Sequence, residues 1–562
     1  MKRNPLYPLI LAASLLGATA ARSQSDVAPT RIEDLYQAEL APFYHGVASG
    51  DPLPNGFILW TRVTLPENQK NRRGLVPVQW QVSRDPQMKH VIRCGTALTS
   101  AHRDFTVKVD VRGLPAGKTY YYRFHALGKN SITGKTKTAP RGGVEQLKFA
   151  VVSCSNYEWG YFSGYDRIAR RTDLDAVIHL GDYFYEYSDN ASYSSPVIRD
   201  ERVLFPAHET ITLADYRTRF ATYRLDPNLR RAHQQHPFIV VWDDHESAND
   251  AWTGGAENHD SATEGEWKKR KAASKKAYFE WMPIRENCDG ISRSLSYGPL
   301  LDLVMLDTRL EGRDEQINDI TSPLLYAPDR TLLGESQKMW LKEELACSKA
   351  TWKILGNQVI FSEFNIGFAA TLDPTTTAQG LESLFLDIWD GYPAERTELV
   401  NFIATEDIGN VVFLTGDFHS SFAFEVIDPA FGNPFYNPAT GAGAVAVEFA
   451  TPSISAANFD ENLDPGTSAL LESVINQPIP TPFGPLNFNP HMKFVDLDRH
   501  GYFVLSVTPA AVQADYYYLA DILVPQTTES WGAGLISAAG SNHLVPAAAP
   551  AAPKSVQDTP AP

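Results

Sequence analysis

Six stretches of the chain end an apolar run in residues able to hold a cation or move a proton. Residues 148–152 lead to Ser153-Cys154, residues 173–180 to Gly181-Asp182, and residues 238–242 to Asp243-Asp244-His245-Glu246. Residues 301–306 lead to Asp307, residues 352–355 to Gly356-Asn357, and residues 411–414 to Thr415-Gly416-Asp417-Phe418-His419. Apolar runs this short read as buried strands, and sites in open α/β sheets form beyond the carboxyl ends of strands. Six such ends in one chain point to one shared site rather than to six surface turns.

Each residue type suits a particular task. Asp182 has two oxygens and can bridge two cations about 3.5 to 4 Å apart, the spacing of two-metal displacement at phosphorus. Cys154 as a thiolate is a soft ligand, and the Tyr185 phenol, with an ordinary pKa near 10, ionises beside a strong Lewis acid such as ferric iron. Asp244 offers hard oxygen, and His245 is suited to protonate a leaving alkoxide. Asp417 and His419 alternate across Phe418, which in an extended segment places them on one face, about 7 Å apart at Cα. Asn357 could add a carbonyl oxygen, and Arg217 and Arg224 are candidate phosphate clamps. Each also has a plain structural reading: a core cysteine, a core tyrosine, a turn asparagine, salt-bridged arginines.

Several classes of function are disfavoured. The 562 residues carry a formal net charge of -16, and the longest basic run is Lys268-Lys269-Arg270-Lys271. No concentrated positive face for specific nucleic-acid recognition is expected. An acidic body attracts a phosphate ester only if metals supply local positive charge. No Gly-x-Ser-x-Gly elbow suggests a serine nucleophile. Lys2 and Arg3, the apolar stretch 6–16 and Ala18-Thr19-Ala20 read as a signal peptide over residues 1–20, too short for a stable membrane anchor. Export, to the periplasm or the medium, follows. Four scattered cysteines make no disulfide scaffold, although Cys288 and Cys347 could pair.

The elements that must position these groups fall into two parts. Residues 44–140 read as all-β, with strands at 76–82, 105–111 and 120–126 and Gly/Pro-marked turns. The segment 114–120 resembles the tyrosine corner of fibronectin type III-like sandwiches. Residues 139–145 read as a linker. Residues 147–530 alternate apolar strands with helices at 266–282 and 330–347, a loop-rich segment at 423–489 and a return to strand at 497–507. The Ala/Pro-rich residues 545–562 read as a disordered tail.

Taken together the motifs resemble one family. Val47-Ala48-Ser49-Gly50-Asp51-Pro52 with Trp60-Thr61-Arg62 resembles the opening of the alkaline phosphatase D family, which belongs to the calcineurin-like metallophosphoesterases. Ser153-Cys154, Gly181-Asp182-Tyr183-Phe184-Tyr185-Glu186, Trp242-Asp243-Asp244-His245-Glu246 and Thr415-Gly416-Asp417-Phe418-His419-Ser420 look like its metal motifs. So does His500-Gly501-Tyr502, and the segments Asp215-Tyr216-Arg217 through Arg224 and Glu280-Trp281-Met282-Pro283 also resemble the family. The resemblance implies an α/β fold: a four-layer αββα core preceded by a fibronectin III-like sandwich. It implies a ferric iron and calcium centre. Cys154, Tyr185, Asp182 and His419 would serve Fe(3+), and Asp182, Asp244, Asn357 and Asp417 would serve Ca(2+). Catalysis would rest on Asp182 and His245, with metal-activated hydroxide attacking phosphorus in line in monoesters, diesters or both. A monomer is the expected state. The competing readings are an extracellular binding or adhesion protein carrying calcium without catalysis, and a thiol hydrolase centred on Cys154.

Overall fold

The computed structural model describes residues 29–69, 74–189, 202–286, 290–371, 376–463 and 465–562. The signal-peptide segment 1–20 and Cys288 lie outside these residues. Cys347 ends the helix Glu335–Cys347 and is exposed. Among the described residues no helix is long and apolar enough to cross a membrane.

Three short apolar runs form the centre of the molecule. Leu147–Val152, Ala176–His179 and Pro237–Val240 pair in parallel and are buried along their whole length. Parallel strands are covered on both faces, which explains why these read as continuous rather than alternating apolar stretches. They lie within a ten-stranded mixed sheet. Gly501–Val507, Ala511–Leu519, Glu529–Ala538 and Leu544–Pro546 extend one flank, and Val47–Leu53, Gly56–Arg62 and Thr106–Arg112 the other.

A second mixed sheet has seven strands. Leu301–Met305, Trp352–Gly356, Val411–Thr415 and Ala446–Ala450 run parallel through its middle. The two sheets share one core, in which Phe149, Val151 and Leu505 meet Leu303, Ile354, Leu414 and Phe449. The Phe449 and Phe503 rings stand 6.2 Å apart. Each fully buried side chain of this kind contributes roughly 1.5–3 kcal/mol, so the core holds the strand ends in fixed register.

The N-terminal β-rich region is continuous with this core rather than a bead before it. Val47–Leu53 pairs in parallel with Pro237–Val240, with Ser49 opposite Pro237 and Gly50 opposite Phe238. A side chain at Gly50 would lie 2.2 Å from the Pro283 carbonyl oxygen and 2.5 Å from that of Phe238, so the close approach needs glycine there. A separate five-stranded sheet, built from Val76–Ser83, Val91–Thr99, Thr119–Ala126, Lys129–Asn130 and Gly134–Lys137, covers these strands. Val76, Val78, Tyr122 and Phe124 pack there against Val47, Phe57 and Leu59.

The anticipated helices appear as Trp267–Trp281 and Glu335–Cys347. The segment 423–489, read as loop-rich, is a correction. It holds most of the buried strand Ser421–Val426, the buried strand Ala446–Ala450 and the helix Pro465–Val474. Strands buried on both faces show no alternation, and this one is too short to stand out against the Gly and Pro residues around it.

The tail is the second correction. Residues 545–562 are not a disordered extension but run as an extended strap beside the amino-terminal ends of the central strands. Lys554 Nζ pairs with both Asp175 oxygens at 2.8 and 2.9 Å, Asp558 pairs with Lys137, and Gln235 exchanges two hydrogen bonds with Ala561. Composition alone misleads here because the partners are supplied by the body of the protein. Burial pushes the Asp175 carboxyl up, but Lys137 and Lys554 outweigh it and hold it below the usual carboxylate range. Such a carboxyl stabilises fully above its unfolded pKa of about 3.9 and less as pH falls through its folded value. Asp175→Asn is therefore expected to cost on the order of 2 kcal/mol at pH 7. The deficit should shrink below about pH 4, as read by denaturant unfolding across pH.

Candidate metal centre

The carboxyl ends of four parallel strands converge. Cys154 follows Leu147–Val152, Asp182 follows Ala176–His179, Asp243, Asp244 and His245 follow Pro237–Val240, and Asp417 and His419 follow Val411–Thr415. Their ligand atoms form three overlapping groups, each within 4.8 Å: Cys154, Asp182 and His419; Asp182, Asp244 and His245; and Asp243, Asp244 and Asp417. Asp182 belongs to the first two groups and Asp244 to the last two.

The backbone at these positions is unusual. Cys154, Asp182, Asp417 and His419 all have positive φ, at 59°, 51°, 63° and 61°. Left-handed conformations are costly for side-chain-bearing residues and cluster at functional sites. The Asp417–His419 segment is accordingly not extended, and the expectation that both side chains share one face gives way. Asp417 joins the Asp243–Asp244 group, and His419 joins Cys154 and Asp182. Gly181, at φ 105°, allows a close approach: a Cβ there would stand 2.4 Å from Asp243 Cβ.

Backbone bonds stitch the loops together. Cys154 N donates to Gly181 O at 3.2 Å, Ser155 N to Asp182 O at 2.8 Å, and Ser453 N to His419 O at 2.8 Å. Glu246 accepts from the amides of Asp182, Tyr183 and Asp243 at 3.1, 2.6 and 2.7 Å, which ties two strand ends through one buried carboxylate. Glu448 does the same on the second sheet, accepting from Phe361 N, Ser362 N and the Thr415 hydroxyl.

The side chains are oriented for ligation. Tyr185 Oη donates to Asp182 Oδ2 at 3.2 Å and lies 3.0 Å from His419 Nε2. His419 Nδ1 donates to the Ala457 carbonyl, and burial holds the ring neutral, with its pKa lowered to about 4. A neutral imidazole whose Nδ1–H is fixed by a carbonyl presents Nε2 as a donor to a cation. His245 Nδ1 is 2.7 Å from Glu186 Oε2. Burial opposes a charge on His245, but Glu186, Asp182 and Asp244 outweigh it and raise the pKa well above the usual range. Glu186 is itself fixed by Asn249 N and Asn258 Nδ2 at 2.7 and 2.8 Å.

Electrostatics marks the site as short of positive charge. Burial raises the Asp182 carboxyl well above its ordinary value, and Asp243, Asp244 and Asp417 add to the rise. Burial pushes Asp243 up to about 6 and Asp417 well up. Burial, then Asp182, raise the Cys154 thiol. Asp182 Oδ1 and Asp243 Oδ2 are buried with no hydrogen-bond partner. Buried acceptors left without partners are costly, and a cation satisfies them. The donor set of thiol, phenol, imidazole and carboxylates therefore fits bound metal.

One buried cation is already present. Arg309 Nε pairs with Asp243, and its Nη2 lies 2.6 Å from Asp417 and 3.9 Å from Asp244. Its Nη1 lies 3.4 Å from Asp387. Asp307, which sequence patterning places among the polar strand ends, instead accepts from the amides of Arg309 and Leu310 and fixes the turn. Sequence reasoning overlooked Arg309, although Asp307-Thr308-Arg309 directly follows an apolar run.

Three other candidates are engaged differently. Asn357 Oδ1 accepts from Trp389 Nε1 at 3.1 Å, so its amide braces a neighbouring loop. Arg217 forks onto Glu280 at 2.6 and 2.7 Å. Arg224 is buried with its guanidinium 4.3 Å from the Trp60 ring centre. The phosphate-clamp expectation for these two arginines is corrected: one is committed to a carboxylate and the other is closed off from solvent. The arginine that reaches the acidic cluster is Arg309.

The chain resembles known proteins over most of its length. The model of the PhoD-like phosphatase matches residues 149–516, and that of the PhoD-like phosphatase N-terminal domain matches residues 29–140. Alkaline phosphatase D of Bacillus subtilis (strain 168) is 36% identical over 512 residues, spanning 88% of this chain and 80% of that protein. A solved structure of PhoD superposes with a TM-score of 0.75 at 33% identity, covering 91% of this chain and 93% of that one. The matched core contains every residue of the three ligand groups, and the matched N-terminal part contains the strands that extend its sheet: the chain belongs to the PhoD-like phosphatase family.

Proposed function

We propose that the chain is an exported, metal-dependent hydrolase of phosphoric monoesters, diesters or both. The observation that carries this reading is the convergence of a thiol, two imidazoles and four aspartates from separate strand ends into three ligand groups that share Asp182 and Asp244. Cys154, Tyr185, Asp182 and His419 would hold ferric iron, since a thiolate, a phenolate and a carboxylate together make an anionic pocket suited to one highly charged ion. Asp182, Asp244 and Asp417 would hold calcium, a hard ion that takes oxygen ligands, with the Asn357 oxygen available if it turns from Trp389. Bound cations would lower the pKa of water, neutralise phosphoryl oxygens and align the ester.

The chain's own groups complete the reaction. Asp182 belongs to the first two ligand groups and would hold a cation in each. His245, with Nδ1 taken by Glu186, carries its transferable proton on Nε2 and delivers it to the departing ester oxygen. Arg309 balances the carboxylates facing the substrate. The two large sheets would serve as the inner layers of an αββα core at 147–530, its first sheet extended by Val47–Leu53, Gly56–Arg62 and Thr106–Arg112, with the five-stranded sheet as the remainder of the fibronectin III-like part at 44–140. A signal peptide at residues 1–20 would deliver the protein to the periplasm or the medium.

The test is elemental analysis of the purified protein beside phosphomonoester and phosphodiester assays. Iron and calcium with turnover are expected, together with a visible charge-transfer band that Tyr185→Phe shifts and weakens. Protein without metal, or fully loaded protein without turnover on either ester, would overturn the reading. Calcium without iron or turnover would instead favour a binding protein.

A further inference from the structure

A recess of about 220 Å³ opens directly on the ligand groups and is lined by Asp387, Asp417 and His419 together with Phe385, Phe418 and Phe459. The three rings form one wall. Phe385 and Phe418 have centroids 5.2 Å apart, Phe418 and Phe459 5.9 Å, and Phe385 and Phe459 6.2 Å with planes only 19° apart. Phe418 sits between Asp417 and His419 in the chain and is 8% exposed, whereas Phe385 and Phe459 are partly exposed. Asp417 and His419 belong to different ligand groups. A phosphoryl held across those groups therefore faces the recess, and its ester substituent has this space to enter.

We infer that the recess is a leaving-group subsite selective for esters whose departing group carries a single planar ring. This rests on the phosphatase reading and adds the substrate class. Size is sufficient for one ring: an enclosed protein cavity of about 150 Å³ takes up benzene, and this open recess offers about 220 Å³. Chemistry supports a ring over an alkyl chain, because phenyl faces and edges interact with an aromatic guest beyond simple area burial.

Non-hydrolysable phosphonates separate this from leaving-group reactivity. Phenylphosphonate, cyclohexylphosphonate and methylphosphonate would be compared on the protein as purified, by competitive inhibition and by thermal shift. Phenylphosphonate is expected to bind about tenfold more tightly than methylphosphonate, with cyclohexylphosphonate between them. In Phe385→Ala and Phe459→Ala the phenyl advantage should fall toward unity while methylphosphonate binding holds. Phe459→Leu, which keeps bulk, should bind phenyl and cyclohexyl alike. Equal binding of phenyl- and methylphosphonate by the wild type, or an undiminished phenyl preference in the variants, would overturn the subsite. Failure of all three phosphonates to bind the wild type would overturn the phosphatase reading and the subsite with it.

Discussion

Asp182→Asn is expected to lower kcat/KM for phosphate esters by about 10³-fold or more, beyond the roughly 10–100-fold typical of groups that only orient a ligand. The residue is shared by two of the three ligand groups, so a single change weakens both. Asparagine is nearly isosteric and tolerates the left-handed backbone that Asp182 adopts at φ 51°. The fold should therefore survive. Indeed the metal-stripped variant should melt no lower than the stripped wild type, because it loses a carboxyl whose charged form burial and three neighbouring aspartates disfavour. What should fall is the metal content and the rise in Tm on adding metal, since stabilisation by a ligand follows its affinity. Full turnover with unchanged metal would remove Asp182 from the centre. A lower Tm in the stripped state would instead mark it as a structural group.

Much of this site is legible in the sequence because its ligands share one grammar. Cys154, Asp182, Asp244 and Asp417 each follow a short apolar run, and a parallel strand covered on both faces leaves that signature whatever the rest of the fold does. The pattern also picks out central strands of both sheets, without dividing them between the two. It says nothing about which polar residues face one another. Asp307 follows an apolar run as Asp182 does, yet its carboxylate is used to cap the turn that delivers Arg309. Arg217 and Arg224 look available in the sequence because Glu280 and Trp60 meet them only through tertiary contacts. The alternation argument for Asp417 and His419 fails because it assumes extended backbone, while both residues are left-handed. The tail misleads for a related reason: an Ala/Pro-rich composition cannot bury a core of its own, but Asp175, Lys137 and Gln235 supply partners from elsewhere.

Arg309→Met is expected to separate the site's charge balance from its packing. The guanidinium is fully buried and faces Asp243, Asp244, Asp417 and Asp387. Methionine fills much of the same volume but leaves those carboxylates opposed to one another. Removing one partner of a buried ion pair costs about 3–5 kcal/mol, so the metal-stripped variant should be less stable than the stripped wild type by about that amount. Divalent cations should then recover more stability in the variant than in the wild type. The freed carboxylates no longer have a resident cation to compete with an arriving one, and any ion that binds only the folded state adds to stability. Calorimetry of both proteins, stripped and then titrated with calcium, measures each effect. Stripped proteins of equal Tm would show that Arg309 does not neutralise the cluster. A smaller calcium-induced rise in the variant would show that the guanidinium supports cation binding rather than competing with it.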